Sequence, residues 1–69
     1  MTGIIINFNE SRGFGFIKPD GGTIWQRYFC HISNFMNLLD GYPQPGQRVN
    51  FEVKACPKGE QAVDVQIIL

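Results

Sequence analysis

Two phenylalanines lie two positions apart near the start of the chain, with glycine between them and basic residues on both sides. Alternate side chains of an extended strand leave the same face, so Phe14 and Phe16 would share a face with Lys18. If that face were the core, Lys18 would be buried and Ile17 exposed, so the pattern predicts that both rings lie at the surface. Exposed aromatic rings flanked by Arg12 and Lys18 are typical of proteins that stack unpaired nucleic-acid bases and contact their phosphates.

A second alternating segment covers residues 28–32, with the sequence YFCHI. Phe29 and His31 fall on one face of this predicted strand, and Cys30 falls on the other. Two adjacent strands would then form one surface, which we call the aromatic platform (Phe14, Phe16, Phe29 and His31). The alternative is that these phenylalanines are core residues of a small β domain, since phenylalanine is usually buried.

These two segments resemble the ribonucleoprotein motifs of the bacterial cold-shock domain, with GFGFI at residues 13–17 and FCHIS at residues 29–33. The resemblance continues through residues 2–4 and 8–9, 45–53 and 58–65, and so covers the whole chain as one domain, 1–69. It implies an all-β fold, a five-stranded antiparallel barrel of the oligonucleotide-binding type. It also implies single-stranded RNA or DNA as the ligand.

The chain departs from the family pattern at several positions of the expected binding surface. Ile6 and Asn7 stand where the family carries Lys-Trp, which removes a phosphate contact and a stacking indole. On the scale of base stacking, this change should weaken binding about fivefold to a hundredfold. Ile32 also replaces a frequent aromatic residue, whereas Arg12 replaces the usual lysine and is able to stack as well as pair with phosphate. Arg27 stands where the family usually has an acid, which removes a repulsion.

Two aromatic residues outside the platform have alternative interpretations. Trp25, in the loop before the third strand, either packs over the barrel mouth or replaces the missing indole. Tyr42 lies in a long loop about two positions later than the family's base-contacting aromatic, and Phe35 is expected to be buried under that loop. The candidate nucleic-acid-binding residues are Asn7, Phe8, Arg12, Phe14, Phe16, Lys18, Trp25, Arg27, Phe29, His31, Tyr42 and Lys58.

Composition agrees with one small globular domain. Of the 69 residues, 43% are hydrophobic, which argues against disorder. No apolar run reaches membrane-spanning length and the start lacks a signal-peptide pattern, so we expect a cytoplasmic protein. Cys30 falls on an inward strand face and Cys56 in a turn, so we expect reduced cysteines, with a disulfide between them as the alternative. Cys30 and His31 point to opposite faces, so we expect no metal site and no cofactor. The scarcity of catalytic groups argues against an enzyme.

Turn residues divide the chain into five predicted strands, at 4–9, 13–18, 27–32, 48–54 and 61–69. In the fourth strand Val49, Phe51 and Val53 alternate with polar residues and should face the core. Cys56 is placed in the turn before Pro57. Residues 33–39 are predicted to form a short helical turn capped by Ser33.

Two functions remain open at this point. The intact platform favours a binder of single-stranded nucleic acid, similar to an RNA chaperone. A net charge of zero and the lost Lys-Trp pair favour a domain that kept the barrel and binds a protein instead. A monomer is expected, with an exchange dimer as the alternative.

Overall fold

The structure is a computed structural model that describes residues 1–23, 25–38 and 41–68. In these ranges the chain forms five strands: β1 (Thr2–Asn9), β2 (Phe14–Pro19), β3 (Tyr28–His31), β4 (Arg48–Cys56) and β5 (Gly59–Ile67). A single turn of 3-10 helix, Ile32–Asn34, follows β3. No helix among the described residues is long and apolar enough to cross a membrane.

The strands close into a barrel in the order β1-β2-β3-β5-β4, which confirms the predicted five-stranded fold. Four of the neighbouring pairs are antiparallel, but β3 and β5 run parallel, with Phe29 opposite Gln61 and Cys30 opposite Ala62. Strand direction cannot alternate around a closed ring of five, because the number is odd. The expectation of a purely antiparallel barrel is therefore corrected at this one pairing.

The core fills the barrel with side chains from all five strands. Its most buried members are Ile5, Ile17, Cys30, Val49, Phe51, Ala62 and Val65. The inward positions predicted for Cys30, Val49 and Phe51 are confirmed, and Val53 packs half-buried against this cluster, as does Phe35. Burial also raises the pKa of the Cys30 thiol to about 11.

One extra residue in β1 changes which side chains face the platform. Ile5 lies opposite Ile17 and Asn7 lies opposite Phe16, so Ile6 is the extra residue of a β-bulge. Directly opposed residues of an antiparallel pair share a face. The bulge therefore places Asn7, and not Ile6, beside the ring of Phe16.

The segment after β3 differs from its prediction. The helical turn begins at Ile32 and is capped by His31, whose Nδ1 accepts the Ser33 backbone N–H at 3.1 Å. It ends at Asn34 because Phe35 already bridges to Val65 on β5. The predicted cap at Ser33 and the helical turn beyond Asn34 are therefore wrong over the described residues, and Leu39 lies outside them.

Boundaries shift in all five predicted strands. β1 begins at Thr2 instead of residue 4, β2 covers Phe14–Pro19 instead of 13–18, and β3 ends at His31 instead of residue 32. β3 begins at Tyr28, one residue after the predicted start. β4 continues through Cys56, which is therefore a strand residue and not a turn residue. The last strand begins earlier than predicted, at Gly59, and the predicted end of that strand at Leu69 lies outside the described residues.

Candidate nucleic-acid interface

The aromatic platform is formed by side chains of β2 and β3. Phe14 lies opposite His31 and Phe16 opposite Phe29 in the strand register. The rings of Phe14 and Phe29 stack with centroids 5.3 Å apart and planes 29° apart. Phe16 meets Phe29 edge to face at 6.1 Å and Phe14 at 6.4 Å. The three phenylalanines of the platform thus form one continuous cluster of rings.

This cluster lies outside the core. Phe14, Phe16 and Phe29 are half-buried and His31 is exposed, whereas Ile17 and Cys30 on the opposite face are fully buried. The alternative that the phenylalanines form the core is therefore wrong. Since the rings cover part of one another, each is held in place by its neighbours while another part of its surface faces solvent.

His31 is oriented by the turn that follows it. Its Nδ1 accepts the Ser33 backbone N–H and lies 2.9 Å from the Ser33 hydroxyl oxygen. Because a backbone N–H is always a donor, a neutral His31 ring carries its proton on Nε2. The platform therefore presents a hydrogen-bond donor beside Phe14.

Gly15 allows β1 to approach the platform strand closely. A Cβ atom at this position would lie 2.2 Å from the backbone oxygen of Asn7 and 2.8 Å from Cδ2 of Phe8. Without a side chain at Gly15, β1 and β2 remain paired from Asn7 to Asn9. The glycine between the two platform phenylalanines is thus explained by strand packing.

Cationic side chains border the platform along β2 and just before β2 and β3. The guanidinium carbon of Arg27 lies 5.5 Å from the centroid of Phe16, within the range of a cation–π contact. Lys18 is half-buried and continues the platform face of β2 beyond Phe16. Arg12 is exposed in the turn before β2, where the Asn9 side-chain oxygen accepts the Arg12 backbone N–H at 3.1 Å.

Two acidic side chains near the platform, Asp20 and Glu10, differ in their surroundings. Asp20 accepts hydrogen bonds from the hydroxyl of Thr2 at 2.6 Å and from both terminal nitrogens of Arg48. These bonds, that of Thr2 most strongly, hold the pKa of Asp20 below its ordinary value. Glu10 instead lines a groove next to the platform. The negative charge of Glu10 therefore partly offsets the positive charge near Phe14 and Phe16.

That groove runs between β1 and the platform. Its volume is about 550 Å³, and it is lined by Asn7, Phe8, Asn9, Glu10, Phe14 and Phe16. Phe8 connects it to a second aromatic cluster, with ring centroids 6.0 Å from Phe35 and 6.3 Å from Tyr42. The predicted residues Asn7, Phe8 and Tyr42 are thus brought next to the platform.

A second groove, of about 310 Å³, lies on the other side of the platform. It is lined by Phe29 and Lys58, together with Cys56, Gly59, Glu60 and Gln61. Of these residues Phe29 and Lys58 are predicted from the sequence, whereas Cys56, Glu60 and Gln61 are not. They lie beside Phe29 because of the parallel pairing of β3 with β5, and nothing in the local sequence signals that pairing.

Trp25 does not pack over the barrel. Its side chain is 79% exposed, so that interpretation is wrong. The loop around it is held by Gln26, whose side-chain oxygen accepts the Thr23 backbone N–H at 2.9 Å.

The described residues include no group of three or more His, Cys, Asp or Glu side chains arranged to hold a metal ion.

Residues 1–68 match the family model described as the 'Cold-shock' DNA-binding domain. The chain belongs to the cold-shock domain family. Nucleic-acid binding is the general function of that family, so the coarse function expected from the sequence is supported.

Several cold-shock-like proteins are similar over most of their length. The cold shock-like protein CspA of Stigmatella aurantiaca is 46% identical over 69 residues, covering 97% of this chain and 96% of the relative. CspA of Vibrio cholerae is 42% identical over 65 residues, covering 94% and 90%. The cold shock-like protein CspD of Escherichia coli K12 is 44% identical over 57 residues, covering 80% and 72%.

Proposed function

We propose that this protein binds single-stranded RNA or DNA by stacking bases on the aromatic platform and that it acts in the manner of an RNA chaperone. The observation that supports the proposal most strongly is the contact of three phenylalanine rings on two adjacent strands, outside the core. Every base has a π face, so such a surface accepts any sequence.

Stacking dominates the affinity in this proposal. Each stacked base contributes roughly 1–3 kcal/mol, whereas the net charge of zero leaves few phosphates to be neutralised. The rings are already held by their contacts with one another, so little conformational entropy is lost on binding. Moderate affinity with rapid release suits a protein that keeps transcripts unpaired and performs no covalent chemistry.

The test is a titration with hexathymidine, followed by Trp25 fluorescence and by backbone amide shifts. We expect shifts to concentrate on β2 and β3, and Phe14→Ala or Phe29→Ala to weaken binding about fivefold to a hundredfold each. Phe14→Leu and Phe29→Leu are the matched controls, because they keep apolar volume and lose only the π face. The leucine variants should bind nearly as weakly as the alanine variants while remaining folded.

A protein-binding role is the competing outcome. The neutral net charge, Glu10 in the groove and Asn7 in place of an indole all reduce the attraction for nucleic acid. If saturating DNA and RNA leave the amides of β2 and β3 unchanged in the folded wild-type protein, the proposal fails. The exposed rings would then be assigned to contact with a protein.

A further inference from the structure

Arg27 lies at one end of the platform, next to the ring of Phe16. It directly precedes β3, its side chain is exposed, and its guanidinium carbon lies 5.5 Å from the centroid of Phe16. Over the described part of the chain, its side chain makes no hydrogen bond and no ion pair. Its donors are therefore available to a ligand at the place where the platform ends.

A guanidinium stacked on a ring keeps its hydrogen-bonding capacity. The five N–H donors lie in the plane of the group, at its rim, so one face can contact the ring while the rim reaches a base edge. Guanine presents two adjacent acceptors, O6 and N7, that match this fork, whereas cytosine, whose O2 and N3 are also adjacent acceptors, has a smaller ring to stack on the platform. Adenine has a donor beside N7, and pyrimidines have no N7.

The surroundings of Phe16 leave room for such a base. Asn7, directly opposite Phe16, is exposed, and its carboxamide makes no hydrogen bond within the described residues. Both side chains line the groove of about 550 Å³. A carboxamide both donates and accepts, so Asn7 is able to pair with polar groups that Arg27 leaves free.

We propose that Arg27 makes the Phe16 end of the platform selective for guanine. The inference rests on the proposed function, because it concerns one subsite of the same surface. Stacking on the platform accepts any base. In this proposal the hydrogen bonds of Arg27 add selectivity for one base at one position.

The experiment compares hexathymidine with six oligonucleotides that carry one guanine in turn at each position. Wild-type protein should bind one or two of these about fivefold to a hundredfold more tightly than hexathymidine. Arg27→Lys keeps the charge and loses the fork, so the ratio of the guanine-containing affinity to the hexathymidine affinity should fall to less than about twofold, even if hexathymidine binding itself changes. Arg12→Lys makes the same change in the turn before β2 and should keep the preference.

Two results would overturn the inference while leaving the proposed function intact. One is tight binding of hexathymidine by the wild type with no preference for guanine at any position. The other is a guanine preference that persists in Arg27→Lys. Failure of the folded wild type to bind any oligonucleotide would instead remove the proposed function, and the guanine subsite with it.

Discussion

Asn7 shows how much the chemistry of this surface depends on a single side chain. The β-bulge at Ile6 places Asn7 on the platform face, opposite Phe16, at the position where the family pattern has tryptophan. A carboxamide there hydrogen-bonds but offers no π face. The barrel is preserved, and the area available for stacking is reduced.

Restoring an indole at this position should therefore strengthen binding. We expect Asn7→Trp to raise the affinity for hexathymidine about fivefold to a hundredfold, because the new ring extends the platform next to Phe16. Fluorescence anisotropy of a labelled oligonucleotide measures the change. Asn7→Leu adds apolar surface without a π system and should gain much less. Equal affinities for the two variants would contradict stacking at this position.

The two cysteines should differ in reactivity. Cys30 is fully buried with a pKa of about 11, whereas Cys56 is half-buried at the end of β4. A thiol-specific reagent at neutral pH should therefore modify one thiol in the native protein and both after denaturation. Cys56→Ser should abolish the native reaction. Modification of Cys30 as fast as Cys56 in the folded protein would show that the barrel opens far more readily than this packing implies.

The same thiol makes stability depend on pH. The pKa of Cys30 is higher in the folded protein than its ordinary value of 9.0, so the unfolded chain loses this proton first. The free energy of unfolding should therefore be unaffected by Cys30 below pH 9.0 and should fall as the pH rises from there toward about 11. Cys30→Val removes this contribution, and urea denaturation at a series of pH values measures the difference between the two proteins.

At the scale of elements, the site depends on how closely β1, β2 and β3 pack side by side. β2 is the middle strand of the three and carries Phe14 and Phe16, while β3 adds Phe29 and β1 adds Asn7. The turn before β2 is fixed by the Asn9 side chain and by Gly13, whose φ of +73° favours glycine. Backbone geometry, as much as ring chemistry, therefore determines the surface.

Gly15→Ala tests this close packing. The added Cβ would meet the backbone oxygen of Asn7, so β1 must move, and we expect a loss of about 1–3 kcal/mol in the free energy of unfolding. Urea denaturation measures it. Gly41→Asn is the control, because a Cβ there meets no neighbour and asparagine tolerates its φ of +70°. If the free energy of unfolding of Gly15→Ala lies within about 0.5 kcal/mol of the wild-type value, β1 and β2 do not depend on glycine at this position.

At the scale of the whole molecule, the charges sum to zero and are only partly separated, because Glu10 and Glu60 line the two grooves beside the platform. Arg12, Lys18 and Arg27 lie around the platform. Glu52 and Asp64 lie in a different groove, formed by β4, β5 and Met36. Attraction for phosphate is therefore local and weak, and we expect binding to depend only slightly on salt.

We expect hexathymidine to bind more weakly as salt is added. In a plot of the logarithm of the binding constant against the logarithm of salt concentration, the slope should be on the order of −1 to −2. This corresponds to about two neutralised phosphates. Arg12→Gln and Lys18→Gln should each make the slope shallower by roughly 0.7. A wild-type slope steeper than about −4 would contradict a stacking-dominated interface.

Alternation along single strands was enough to predict the faces of β2, β3 and β4. Side chains two residues apart share a face whatever their surroundings, so Phe14 and Phe16, and separately Val49 and Phe51, were assigned from the sequence alone. The family motifs then identified the five-stranded barrel as a whole.

Only the tertiary structure decided which distant residues meet. Closing an odd number of strands forces one parallel pairing, and in this barrel it falls between β3 and β5, which brings Gln61 beside Phe29. The contact of Arg27 with Phe16 and the exposure of Trp25 depend on the path of one loop. Periodicity is a local property of the chain, whereas these contacts are set by barrel closure and loop geometry, which no short segment encodes.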